Sequence, residues 1–332
     1  MNISYEKMIE LRKILYGHKY AKNPYLDKEE YKEAMTRLEN MKLPEVGSIK
    51  LPKNDIPKIQ SEVIKFFTSN FKGLDFTVTT ITEKAFKEAA AVTELANRNK
   101  DATPRFVIDT CLNAMKSKSK KSSIFSLPIR PKKNEVSLEG KIKKYLNILD
   151  DQKFLEELPI LNESIELGDR FDRISTGTYA HEVTHALLER HKGSIENYYN
   201  NEMLSIFMEK LVIDSYDRTP NKKILKASEV YRARGMQINI AKLFDKDINI
   251  SGTAMQYLLG GFTAGVMFDK YQNESSQGKR RMLGKIKETL AGKKTVEQLI
   301  EEEQISLDNG ALKKYLDKVE GYSKELENEQ VR

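Results

Sequence analysis

His181-Glu182-Val183-Thr184-His185 lies inside a helical run from about Thr176 to Lys192. Positions four apart on an α-helix sit one turn along the axis and about 40° around it, so both imidazoles project from one face. That geometry suits two nitrogen ligands of a single zinc ion. Glu182, beside them, is a carboxylate able to take a proton from metal-bound water. The chain has only four histidines, and two of them stand at this spacing. We read a metal site here rather than two packed histidines with a solvated glutamate between them.

A catalytic zinc needs a third protein ligand and an open position for water. Two residues compete. His191 lies six residues after His185, a spacing that works when a glycine ends the helix three residues after the second histidine. That position is Leu188, within the strong helix-forming run Ala186-Leu-Leu-Glu-Arg190. If the helix continues, His191 is about 240° round from His185 and faces away. Glu202 lies on the next helical run with Gly193 turning the chain before it. Two antiparallel helices joined there bring Glu202 across to the histidine face. Met203, Leu204, Ile206 and Phe207 surround it, and a buried carboxylate needs a partner such as a cation. The expected ligand set is therefore His181, His185, Glu202 and a water.

Outward from this core, the rest of the chain reads as mostly helical. Apolar spacing predicts helices over Ser4–Ala21 and from an Asp27 cap to about Met41. Lys58–Asn70 is a third, with Val63, Ile64, Phe66 and Phe67 as its buried side. Phe76–Thr82 alternates and is rich in β-branched residues, so it reads as a short strand. Further helices are expected over Glu83–Arg98, Thr103–Met115 and Leu138–Asp150, the last extending less clearly to Leu167. After the motif come Ile195–Tyr216, Asn221–Phe244, Ser251–Tyr271 and Ala311–Glu327. The fold class expected is mainly α, with a small β element and an N-terminal helical region. The expected division is residues 1–115 as that region and 116–332 as the catalytic region.

Composition sets the outer bounds. Across 332 residues, 39% are hydrophobic and 32% charged, which fits a globular protein rather than a disordered one. The net charge of +7 is mild. Much of it sits in Lys116–Lys133, where Lys116, Lys118, Lys120, Lys121, Arg130, Lys132 and Lys133 occur without an acid. The plain reading of this tract is a surface loop leading into an edge strand at Ile124–Ile129. The sharper one is a basic rim attracting acidic stretches of a peptide. Its lysines have no aromatic residues interleaved for base stacking, so no nucleic-acid partner is expected. Cys111 is the single cysteine, which excludes an intramolecular disulfide and fits a reducing compartment. The first residues lack a signal-peptide pattern, and no apolar run approaches the roughly 18 residues needed to cross a bilayer. The expected location is cytoplasmic, without a membrane partner. The sequence leaves the oligomeric state open.

The glutamate run then carries a resemblance. Glu202-Met-Leu-Ser205-Ile-Phe-Met-Glu209 resembles the E-x-x-S/T-x-x-x-E signature of the thimet oligopeptidase and oligoendopeptidase F family, zincins whose third ligand is a glutamate. Gln256-Tyr257-Leu-Leu-Gly-Gly-Phe262-Thr-Ala-Gly-Val-Met-Phe268 is similar to that family's tyrosine-bearing helix, and Leu307–Leu326 to its C-terminal helix. The chain departs from the family in several ways. Only 180 residues precede the motif, the link from His185 to Glu202 is short, and Thr184 stands where the family has glycine. No histidine follows His191. The resemblance implies a zinc-dependent endopeptidase, one Zn2+ per chain, with Glu182 as general base. It also implies that oxyanion stabilisation rests on Tyr257, helped by Tyr231 or Tyr271. Tyr257 reads equally well as a half-buried core tyrosine. Glu209, one helical face on from Glu202, is a candidate for orienting a metal-bound histidine. The expected substrate is a short or unstructured peptide, including one with an acidic segment such as a leader peptide. The alternative is a non-proteolytic zinc-containing protein that binds a peptide or another protein.

Overall fold

The computed structural model describes residues 28–45, 56–74, 173–189, 198–243, 248–308 and 310–330. It also describes Tyr25, Ile49, residues 51–52 and the backbone of three short strands. The helices expected over Ser4–Ala21, Glu83–Arg98, Thr103–Met115 and Leu138–Asp150 lie outside those residues, as do His191, Gly193 and most of the basic tract.

Nine α-helices are present among the described residues: α1 (Glu29–Asn40), α2 (Ile56–Asn70), α3 (Arg173–Glu189), α4 (Tyr198–Tyr216), α5 (Lys223–Lys242), α6 (Ile248–Asn273), α7 (Ser276–Leu290), α8 (Val296–Glu302) and α9 (Ala311–Gln330). The mainly α class expected from the sequence is the one observed. None of these helices is long and apolar enough to cross a membrane.

By contacts the chain divides into two compact units that interleave in sequence. The first combines Met1–Lys19 with Asp75–Arg170, the second Tyr20–Leu74 with Phe171–Arg332. The sequence reading cuts the chain once, after Met115; this division cuts it three times. In the first unit, β1 (Thr77–Thr80), β2 (Ser123–Leu127) and β3 (Leu161–Glu166) form a parallel sheet in that order. Val78 pairs with Ile124, and Phe125 with Ser164, after an irregularity at Ser123/Ile124. The first strand falls in the β-branched stretch Phe76–Thr82, and the second overlaps the apolar run expected as an edge strand at Ile124–Ile129. The third corrects the helical reading extended to Leu167: Leu161-Asn-Glu-Ser-Ile-Glu166 is a strand, although Leu161 and Ile165, four apart with Glu163 between them, give no strict alternation to show it.

The second unit is built around α4. Every position from Asn201 to Ile213 is buried, so this helix has no solvent face. It packs against α3, α5 and α6. Tertiary enclosure on this scale explains why polar side chains at Asn201, Glu202, Ser205, Glu209 and Lys210 are all buried with it. Such groups need partners, and Asn201, Ser205, Glu209 and Lys210 find theirs on the neighbouring helices α3 and α5. A second cluster joins α1, α5, α6 and α9. There Phe262 meets Tyr31 and Tyr315 edge-on, with ring centroids 5.5 and 6.5 Å apart. Gly265 permits that packing, since a Cβ there would lie 2.4 Å from the Tyr315 ring.

Helix ends correct the sequence reading in several places. The N-cap of α1 is Lys28 rather than Asp27, and it makes no side-chain cap hydrogen bond. Its ammonium instead pairs with Asp308 at 2.8 Å. Helix α5 begins at Lys223 rather than Asn221, because Asn221 and Lys222 adopt φ of 55° and 54°. Asp217 holds that turn, accepting from Thr219 N–H and from Leu225 N–H, each at 2.9 Å. Two helices were not anticipated. Helix α7 is capped by Ser275, and α8 by a Thr295/Gln298 capping box. On α2, Ile59, Val63, Phe66 and Phe67 are buried, while Ile64 is only half-buried.

Candidate metal centre

Helices α3 and α4 pack side by side, and Gly177 sets how closely. A Cβ at that position would stand 2.4 Å from Ile213 Cδ1 and 2.6 Å from Glu209 Cγ. Only glycine therefore lets the first turns of α3 lie against the face of α4 that carries Glu209. Four residues on, the same contact brings the motif histidines to Glu202. His181, His185 and Glu202 are 4%, 6% and 1% exposed, so a shared site excludes bulk solvent.

The two imidazoles meet through their Nε2 atoms, and each faces one oxygen of the Glu202 carboxylate. His181 Nε2 and His185 Nε2 are 3.0 Å apart. Glu202 Oε2 lies 3.4 Å from the first, and Glu202 Oε1 3.5 Å from the second. A tetrahedral ion with bonds of about 2.0–2.1 Å has ligand–ligand edges of about 3.3–3.4 Å; the two histidine–carboxylate separations are close to that, and the 3.0 Å between the imidazoles is shorter. Glu202 Oε2 is buried and accepts no hydrogen bond. A buried carboxylate oxygen left without a donor is a group that a cation would satisfy. The group can hold a metal ion.

The far side of each ring supports that assignment. His185 Nδ1 is 2.7 Å from Asn201 Oδ1 and 3.1 Å from Ser205 Oγ. An acceptor at Nδ1 draws the proton to that nitrogen and leaves the Nε2 lone pair facing the centre. His181 Nδ1 faces Glu209 Oε2 at 3.7 Å, with Arg232 Nη2 3.5 Å away. With His185 protonated at Nδ1, its Nε2 lone pair and the Glu202 carboxylate face one another, an arrangement that a cation relieves.

Electrostatics fixes the carboxylates in their charged form. Burial works to raise the Glu202 carboxyl, but the imidazoles of His185 and His181 outweigh it and hold it well below the ordinary 4.5. Burial likewise opposes ionisation of Glu209. Arg232 overcomes it through charge and hydrogen bonds, leaving that carboxyl lowered too. Arg232 Nε donates to Glu209 Oε2 at 2.7 Å, and Nη2 makes a second, shorter contact to the same oxygen. Ser228 Oγ donates to Oε1 at 3.3 Å. Glu209 thus stands between Arg232 and His181, fixed before any ligand arrives.

The expected residues fall out as follows. His181, His185 and Glu202 come together, and Glu182 sits half-buried on α3 between the two histidines. Glu209 occupies the position expected of it, behind His181. Tyr257 is half-buried on α6. Sequence reasoning missed Asn201, Ser228 and Arg232. Asn201 could have been flagged as the polar neighbour of Glu202 in a run of apolar residues. Arg232, 30 residues beyond Glu202 in the chain, gave no signal, because its role depends on how α5 crosses α4.

No protein-family model, curated protein or solved structure matches this chain.

Proposed function

We propose that this chain is a zinc-dependent peptidase that hydrolyses short or unstructured peptides, as the resemblance to thimet oligopeptidase and oligoendopeptidase F implies. The observation that carries the reading is the convergence of His181, His185 and Glu202 with Glu182 beside them. A purely structural metal site uses four protein ligands and has no need of a free carboxylate next to it. Here three ligands converge, and the fourth position is left for water.

When bound by these three residues, zinc would lower the pKa of a water and polarise a scissile carbonyl. Glu182 takes the proton from the attacking water and passes it to the leaving amine. Asn201 holds the His185 imidazole in the tautomer that presents Nε2, and Glu209 with Arg232 backs the His181 ring. Tyr257 is the proposed hydrogen-bond donor to the oxyanion, where a preorganised donor is worth most. The single Cys111 supports a reducing, cytoplasmic location. The Lys116–Lys133 tract favours substrates with an acidic segment, including a leader peptide.

The test is mass-spectrometric profiling of a mixed peptide library incubated with the wild-type chain, with Glu182→Gln and with chelator. Cuts made by the metal-loaded wild type alone are expected, with zinc retained in Glu182→Gln. Loss of metal from Glu182→Gln would show that residue to be misassigned. Stoichiometric zinc without any cut would instead favour a non-proteolytic binding protein.

A further inference from the structure

Behind the metal centre, α4 and α5 are joined by two ion pairs. Glu209 pairs with Arg232 on the side facing His181. The next residue on α4, Lys210, pairs with Glu229, and these two are only 1% and 3% exposed. Tyr315 of α9 lies against this second pair. The Lys210 ammonium stands 5.7 Å from its ring centroid, and its hydroxyl donates to Glu229 Oε2 at 3.5 Å. Glu229 Oε1 makes no hydrogen bond among the described residues.

Stability alone is a poor reason for such a pair. Apolar side chains of similar size in place of a buried ion pair are often as stable or more so, and here one carboxylate oxygen is left unsatisfied as well. What the pair supplies is direction. From Ala227 to Ala233 the buried apolar side chains of α5 are Ala227, Val230 and Ala233, small groups that interlock little with their neighbours. Adjacent positions on α4 point about 100° apart, so Glu209 and Lys210 leave that helix in different directions. Their partners on α5 are three residues apart, about 4.5 Å along its axis. One pair alone would be a pivot. Two pairs at different heights and in different directions fix both the slide and the rotation of α5. The signs matter as well. Shifting α5 by about one turn brings Arg232 against Lys210 in one sense and Glu229 against Glu209 in the other. Either alternative places like charges together in a buried setting.

We propose that Lys210 and Glu229 are positioning residues for the metal centre, locking α5 at the height and rotation where Arg232 grips Glu209 behind His181. The inference rests on the metal assignment of His181, His185 and Glu202, and is independent of whether a peptide is the substrate. Arg232 Nη2 stands 3.5 Å and Glu209 Oε2 3.7 Å from His181 Nδ1, so a small displacement of α5 changes what that ring faces. Ser228, next to Glu229 on α5, moves with it and carries the other hydrogen bond to Glu209. Tyr315 seals the pair from the side of α9.

The test compares the full wild-type chain with two double variants. Lys210→Met with Glu229→Met removes both charges and keeps the volume. Its melting temperature should equal or exceed that of wild type, while zinc affinity by chelator competition falls about fivefold or more. Lys210→Glu with Glu229→Lys keeps a buried pair of opposite charge, but makes both α4 positions acidic and both α5 positions basic, so a shifted α5 is no longer disfavoured. It should fold and lose zinc affinity to a similar extent, whereas a pair acting by attraction alone predicts wild-type affinity. Nuclear magnetic resonance of the metal-free chain with isotope-labelled histidine supplies a readout that stability does not move. The His181 ring should give one set of signals in wild type and more than one in both variants. Zinc binding within about twofold of wild type in both variants, or a single His181 set in both, overturns the proposal. So does failure of the methionine variant to fold, which would make the pair a requirement of the fold itself. A wild-type chain that binds no zinc sinks the metal assignment instead, and the His181 signals still score the pair.

Discussion

Replacing Asn201 tests how the metal centre is held ready. The His185 Nδ1 proton has two acceptors on α4, Asn201 Oδ1 at 2.7 Å and Ser205 Oγ at 3.1 Å. In Asn201→Ala, Ser205 can take over, so zinc affinity should fall by only about fivefold to tenfold. In the double variant with Ser205→Ala, a buried N–H loses both partners. Leaving such a group unsatisfied costs about 1–3 kcal/mol. The proton can also move to Nε2, where it blocks the ligand lone pair. The double variant should therefore bind zinc about 10–100-fold more weakly than wild type. Asn201→Asp keeps an acceptor and should retain affinity. Competition against a chromophoric chelator at neutral pH measures the constants, and far-UV circular dichroism checks the fold. A folded double variant binding within about twofold of wild type would refute the role given to these two residues.

Three further outcomes follow from the packing. Gly177→Leu forces atoms into space already filled by Ile213 and Glu209; it should destabilise the chain by about 1–3 kcal/mol, and an unchanged denaturant midpoint would contradict the proposed close approach of α3 and α4. Arg232→Met strands the buried Glu209 carboxylate without its counter-charge and should cost about 3–5 kcal/mol, with Arg232→Lys recovering part of it; equal melting temperatures for wild type and Arg232→Met would rule this out. Glu320, paired with Lys324 and Arg37, is held down to about 2 from an ordinary 4.5. A depressed carboxyl stabilises the fold above its unfolded pKa and loses that contribution as pH falls through its folded pKa, so melting temperature should fall between about pH 4.5 and 2 with a slope that Glu320→Gln reduces. An unaltered slope in that variant would exclude the contribution.

Some elements could not be read locally for definite physical reasons. Helix α7, SQGKRRMLGKIKETL, buries Met282, Ile286 and Leu290 at helical spacing, but its dense positive charge obscures the stripe. Helix α8 has seven residues, too few for periodicity to register. The Asn221–Lys222 kink depends on Asp217 folding back onto the turn, which no periodicity reports. Lys210 and Glu229 look like surface charges in the sequence, yet they form a buried pair against Tyr315.

What the sequence determined alone is what a single helix determines. The 3.6-residue period places His181 and His185 on one face with Glu182 between them, and no tertiary contact is needed for that. That Glu202 joins the two histidines was also within reach, because a carboxylate among Met203, Leu204, Ile206 and Phe207 is buried and needs a partner. Only the tertiary structure decided the rest. Glu202 reaches the imidazoles because Gly177 lets α3 and α4 approach closely, and Asn201 and Ser205 face His185 as a result. Arg232 clamps Glu209 because α5 crosses behind α4. Those relations depend on distances between helices, which local periodicity does not encode and which the burial of α4 on all its faces sets.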